Sequence, residues 1–203
     1  MKIKKIYFDM DGVLADFNRG VKELCDMNPI IQKDKAEEAS DELMWSRIKQ
    51  VDHFYDKLEL IPDACQMFMY AYYKYPTSVE VLSAIPKPKR GILSATQDKK
   101  NWVNRMLRWD VPVNIVYRED KKKFADGKDA ILIDDLAENI SEWESYGGTG
   151  IQYKSAEDTI KRLYEIEIGL GGNKLLSTPY AGWSTIEFDN KCFDLSYMCD
   201  VAE

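Results

Sequence analysis

Residues 3–17 read Ile3-Lys4-Lys5-Ile6-Tyr7-Phe8-Asp9-Met10-Asp11-Gly12-Val13-Leu14-Ala15-Asp16-Phe17. The branched and aromatic run to Phe8 suits a buried strand, and the polar cluster Asp9-Met10-Asp11-Gly12 is the turn that ends it. Two carboxylates thus stand at the carboxyl end of a strand. A calcium loop, a sugar-nucleotide site and a phosphoryl-transfer site all use such a pair. The calcium reading fails on spacing: an EF-hand loop starting at Asp9 needs glycine sixth and glutamate twelfth, where this chain has Leu14 and Gly20.

Further apolar runs follow at Val79–Leu82 (ending at Ser83), Val113–Tyr117, Ala130–Ile133 (ending at Asp134-Asp135) and, more weakly, Gly150–Tyr153. Between them the spacing of Trp102, Val103, Met106 and Leu107 predicts a helix over 98–109, and a second is expected over 138–146 before Gly147-Gly148. Strand and helix alternate after residue 78. That pattern implies an α/β fold, a Rossmann-like open parallel sheet with helices on both faces and functional groups at the strand carboxyl ends.

Residues 17–75 break the rhythm. Helical periodicity (Phe17, Val21, Leu24; Leu43, Met44, Ile48; Ala64, Phe68, Ala71, Tyr72) without a convincing strand reads as a small helical cap inserted after the first strand, with a charged, solvated middle over 32–42. The core domain is then 1–16 with 76–168. The remaining 169–203, with alternating apolar positions around Trp183, Ile186 and Phe188 and a turn at Asp189-Asn190, reads as a C-terminal β-hairpin-like extension.

Composition narrows the function classes. With 45% hydrophobic and 31% charged residues among 203, the chain builds a packed core under a solvated surface. Its net charge of -7 repels a polyanion at long range, so polymeric nucleic acid is not an expected partner, whereas one phosphate in a locally basic cleft is. The apolar run after Met1 ends at Phe8, so no export signal is expected, and no stretch approaches the ~18 to 20 apolar residues of a membrane span. The four cysteines (Cys25, Cys65, Cys192, Cys199) show no close pairing of the kind zinc sites use, are too sparse for a disulfide scaffold, and read as reduced thiols of a cytoplasmic protein.

The chemistry gathers where Asp9-Asp11 and Asp134-Asp135 converge. Two acidic clusters ending separate strands of one parallel sheet concentrate negative charge, which a hard divalent cation relieves; magnesium accepts a few carboxylates plus waters and phosphate oxygens. The bland alternative is that Asp134 or Asp135 caps the following helix.

With these residues in order, the chain resembles the haloacid-dehalogenase-like phosphohydrolase superfamily over about residues 3–165. The Asp-x-Asp-Gly-Val-Leu motif is matched by Asp9–Leu14, a strand-ending hydroxyl by Ser83, a lysine before the fourth strand within Lys121-Lys122-Lys123, and the acidic pair by Asp134-Asp135. Within the superfamily it is most similar to the 5'(3')-deoxyribonucleotidase family, through Asp9–Phe17, Lys99-x-x-Trp102-Val103, and Leu132–Asp135 with Asn139-Ile140 and Trp143 to Gly147-Gly148. It departs from that family in Leu82-Ser83-Ala84, where two adjacent hydroxyl residues are usual, and in its C-terminal extension.

The resemblance implies a magnesium-dependent phosphomonoester hydrolase with an aspartyl-phosphate intermediate, acting on (deoxy)nucleoside monophosphates. It implies Asp9 as nucleophile and Asp11 as general acid and base, with Mg2+ held through Asp9, the backbone carbonyl of Asp11, and Asp134, and Asp135 beside them. Ser83 would bind phosphate and Lys121 would supply positive charge, with Lys122 and Lys123 as alternatives. Lys87 could reach the same phosphate or merely belong to a proline-flanked turn. Phe17 matches a position that lines a base pocket, while Trp45, Phe54 and Tyr55 read as the cap's own core. The lone His53 has no catalytic partner in sequence. A sugar phosphate or nucleic-acid 3'-phosphate substrate, a catalytically silent nucleotide-binding protein, and a dimer of such chains all remain compatible with the sequence.

Overall fold

The computed structural model describes residues 3–29 and 38–171, so the expectation of a C-terminal hairpin falls outside the described residues. Five strands, β1 (Lys5–Phe8), β2 (Val79–Ala84), β3 (Val113–Val116), β4 (Ala130–Asp134) and β5 (Thr149–Gln152), form one all-parallel sheet in the order β3-β2-β1-β4-β5. Among the described residues six α-helices accompany them: α1 (Phe17–Cys25), α2 (Glu38–Gln50), α3 (Ala64–Lys74), α4 (Ala95–Met106), α5 (Ala137–Ser145) and α6 (Ala156–Gly169).

The strands read as near-continuous apolar runs because both faces of the sheet are covered. Side chains alternate between two clusters. Ile6, Phe8, Val79, Val81, Ile131 and Ile133 join α3, α4 and α6 on one face, through residues such as Phe68, Trp102 and Leu163. Tyr7, Leu82, Ala130 and Leu132 join α5 on the other, where the Trp143 ring lies 5.5 Å from that of Tyr7. Trp143 also donates Nε1–H to the carbonyl of Ala130 at 3.2 Å.

The chain visits β1, β2 and β3 in one direction and then returns to place β4 on the far side of β1. The carboxyl ends of β1 and β4 therefore flank the point where strand order reverses, the crevice in which open α/β sheets bind ligands.

The inserted segment is attached through two antiparallel connections. Asp16 N–H donates to Glu59 O and Ile61 N–H donates to Leu14 O, each at 2.8 Å. α1 starts at Asp16, whose carboxylate accepts the Arg19 amide at 2.9 Å, the N-cap arrangement that satisfies an orphan donor. Helix α3, which the periodicity groups with the cap, packs instead on the sheet: Phe68 meets Phe8 at 5.4 Å between centroids, and Lys74 pairs with Glu167 of α6 at 2.8 Å. Its apolar residues sit at helical spacing in either setting, so periodicity alone does not say which surface they cover.

Helix α4 begins at Ala95 and ends at Met106 rather than running over 98–109, and Trp109 is left 77% exposed. Among the described residues Cys25 is a free buried thiol. No helix of the described residues is long and apolar enough to cross a membrane.

Candidate active site

Register assembles the carboxylates. Phe8 pairs with Ile133, and the amide of Asp9 donates to the Ile133 carbonyl at 2.9 Å, so the residues that follow each strand emerge side by side. One carboxylate oxygen each from Asp9, Asp134 and Asp135 lie within 4.8 Å of one another. Gly12 makes this possible: its φ is +80°, and a Cβ there would stand 2.7 Å from Asp135 Oδ2. Any side chain at position 12 would press on the acidic cluster as well as strain the backbone.

Lys121 lies between the two strand ends. It comes from a 3₁₀ segment, Arg118–Phe124, and its Nζ stands 2.8 Å from Asp9 Oδ2 and 2.7 Å from Asp134 Oδ2. Burial by itself would lower its pKa, but the two carboxylates outweigh burial and hold it above the ordinary lysine value. Lys122 instead lies over the Tyr146 ring and Lys123 pairs with Asp120 at the surface, so of the three lysines Lys121 reaches the cluster.

A second group of contacts adjoins the first. Lys99, fully buried on α4, donates to Asp11 Oδ2 at 2.6 Å and to Ser83 Oγ at 2.8 Å, and its ammonium sits 4.5 Å from the centre of the Tyr55 ring. Ser83 shares a sheet face with Val81, beneath α4, whereas Asp9 and Asp134 continue the opposite face towards α5. The two faces thus supply separate halves of the site.

Burial and the nearby Asp9 raise the pKa of Asp11 against the opposing pull of Lys99. The other oxygen of Asp11, Oδ1, is buried without a hydrogen-bond partner. Burial, with Asp9 as neighbour, also raises Asp134, and burial with Asp9 and Asp134 pushes Asp135 up to about 7.

The remaining candidates fall elsewhere. Phe17 is half-buried among cap aromatics, with centroids 5.7 Å from Phe54, 6.3 Å from Trp45 and 6.4 Å from Tyr55. Phe54 and Tyr55 are buried. Lys87 is exposed ahead of the 3₁₀ turn Pro88–Arg90, and its side chain makes no hydrogen bond or ion pair among the described residues. Asp11 faces Lys99, so its carboxylate stands apart from the three clustered ones.

Lys99 is a site residue to which the sequence reading gave no role, although it stands in the Lys99-x-x-Trp102-Val103 stretch. Its signal was present: it precedes buried Trp102 and Val103 by three and four positions, so a lysine occupies the apolar stripe of an amphipathic helix. Its neighbour Asp98, also buried, accepts from Ser94 Oγ at 2.7 Å and bonds His53 Nδ1 at 2.8 Å across to the cap. His53 therefore has a partner that spacing could not reveal.

No family model matches the chain, and a comparison with curated proteins found no match. Solved structures are similar in fold. A dehalogenase solved as an intermediate complex superposes with a TM-score of 0.50 at 12% identity, covering 75% of this chain and 85% of that one. The chain shares that dehalogenase's fold. A HAD-superfamily hydrolase from Ehrlichia chaffeensis follows at 0.48 and 11% identity (82% and 98% covered), and the L-2-haloacid dehalogenase from Xanthobacter autotrophicus at 0.46 and 14% (79% and 81%). At these identities the likeness is one of architecture, and function must be argued from the site.

The donor set fits a hard cation. Three carboxylates at one strand edge, two of them with pKa values raised by mutual repulsion and burial, form an oxygen-only cluster whose negative charge Lys121 offsets only in part. The groups present can otherwise offer one nucleophilic carboxylate, one carboxyl able to hold a proton, and two buried ammonium groups.

Proposed function

We propose that this chain is a magnesium-dependent phosphomonoester hydrolase acting through an aspartyl-phosphate on Asp9, with (deoxy)nucleoside monophosphates as substrates. The observation that carries the reading is the convergence of Asp9, Asp134 and Asp135 around Lys121 at the strand-order reversal, next to Asp11 and Ser83 joined by Lys99. Asp9, Asp134 and Asp135 would hold Mg2+, which supplies charge neutralisation for an anionic substrate.

Asp9 presents one oxygen tied to the Met10 amide at 2.8 Å and the other to Lys121, which orients the carboxylate for in-line attack on phosphorus. Asp11, with its raised pKa, carries the proton that the departing alkoxide needs and afterwards takes one from the water that cleaves the acyl phosphate. Lys121 and Lys99 place positive charge beside the flattening phosphoryl group, and Ser83 Oγ offers it a hydrogen bond. The half-buried Phe17, beside Trp45, supplies a ring for a base, a contact worth ~1 to 3 kcal/mol that tolerates different bases.

The test is hydrolysis of an aryl phosphate by purified protein with and without Mg2+, followed by nucleotides, sugar phosphates and a 2-haloacid. Nucleotide turnover that requires Mg2+ and vanishes in Asp9→Asn is the expected result. Turnover of sugar phosphates alone rejects the nucleotidase reading, turnover of the haloacid alone rejects the phosphatase, and none at all favours a silent binding protein.

A further inference from the structure

Asp134 receives more donors than any other carboxylate of the site. Its Oδ1 accepts the Leu136 amide at 2.9 Å, and Asn139 Nδ2 lies 2.9 Å from both oxygens, while Lys121 takes Oδ2. Asn139 is 5% exposed and stands in the first turn of α5, two residues into the helix that Asp134 and Asp135 introduce.

An asparagine can serve a carboxylate only with its amide turned nitrogen-inward, because the opposite rotation sets two oxygens against each other. Something must select that rotation. The Asn139 Oδ1 accepts Arg118 Nη1 at 3.0 Å, and a guanidinium is a donor only, so Arg118 enforces the nitrogen-inward orientation. Glu142, one helical turn beyond Asn139, accepts the other arm of Arg118 at 3.1 Å and steadies it.

Arg118 and Lys121 belong to the same 3₁₀ segment at positions i and i+3, which eclipse one another in such a helix. One turn of chain therefore grips Asp134 twice, directly through Lys121 and at one remove through Asn139. We propose that Asn139 and Arg118 are positioning residues that act in series to hold the Asp134 carboxylate in its cation-binding orientation. The inference rests on the cation reading of the cluster but not on the identity of the substrate.

The experiment measures Mn2+ binding to the metal-free full-length chain by electron paramagnetic resonance, with Mg2+ competition, in wild type, Asn139→Leu, Arg118→Met and the double variant. Partners in the outer shell of a metal site typically change affinity by about 10- to 100-fold, which is the loss expected for Asn139→Leu. Arg118→Met should cost about two- to tenfold, the worth of one ordinary hydrogen bond. Action in series makes the pair non-additive: with Asn139 gone, removing Arg118 should change Mn2+ affinity by less than about twofold.

Asn139→Asp adds a carboxylate facing Asp134, folds with the same side-chain volume, and separates loss of orientation from loss of packing. It should weaken Mn2+ binding if the neutral amide is what Asp134 requires. Unchanged affinity in Asn139→Leu overturns the proposal, as does an Arg118→Met effect that persists in full without Asn139, since that would assign Arg118 to Glu142 alone. Wild-type protein that binds neither ion defeats the cation reading itself, an outcome visible before any variant is made.

Discussion

Replacing Lys99 with methionine removes a charge while keeping most of the buried side-chain volume. In the native protein the Lys99 side chain is inaccessible to solvent, and it is ion-paired to an Asp11 side chain that keeps 26% of its exposure. Breaking a fully buried pair by deleting one partner costs about 3–5 kcal/mol, because the orphaned charge stays behind. Partial hydration of Asp11, its uptake of a proton once Lys99 is gone and relief from burying an ammonium all reduce that, so about 2–3 kcal/mol is expected for Lys99→Met.

Equilibrium urea denaturation at neutral pH, with the m-value held in common, reads the difference as a shift in midpoint. The double replacement Lys99→Met with Asp11→Asn should recover a large part of the loss, since the neutral pair leaves no stranded charge. Catalysis should suffer in a specific way: without Lys99 the carboxyl of Asp11 is held protonated further up the pH scale, so the step that needs a base should slow more than the step that needs an acid. A stability loss under about 1 kcal/mol, or a double variant no better than the single, would refute the view that this pair is electrostatically coupled.

The single histidine allows a clean pH experiment. The hydrogen bond and charge of Asp98 raise the pKa of His53, so its contribution to stability is complete below the unfolded value of about 6.5 and fades as pH rises through the higher folded value. Thermal unfolding should therefore separate wild type from His53→Gln most at the acid end of a pH ~5.5 to 8.5 series and least at the alkaline end; a gap that widens with pH contradicts the assignment. At Gly148 a Cβ would fall 2.1 Å from Trp143 Nε1, so Gly148→Ala must displace the ring that anchors α5 under the sheet. A loss of about 1–3 kcal/mol in chemical denaturation is expected, and a neutral result would mean that Trp143 has room to move.

Much of this site was legible along the chain. The apolar runs before Asp9, Ser83 and Asp134 announce strands because both sheet faces are buried, and a carboxylate directly after such a run can only emerge at the strand's end. Alternation with helical periods then implies parallel strands, and hence one shared edge for those ends. That reasoning located β1, β2, β4 and their terminal residues, whereas Lys121, as the first of three lysines, came from the family resemblance.

Other features depended on strand order and packing. That Asp9 and Asp134 are adjacent follows from β4 pairing with β1 rather than with β3. The roles of Lys99, Arg118 and His53 depend on partners distant in sequence, and α3 covers the sheet through Phe68 against Phe8, with α6 beside it. Periodicity and turn chemistry are local and survive in a linear reading. Which ammonium meets which carboxylate is settled by the distances the assembled layers impose, and those exist only once the chain has folded.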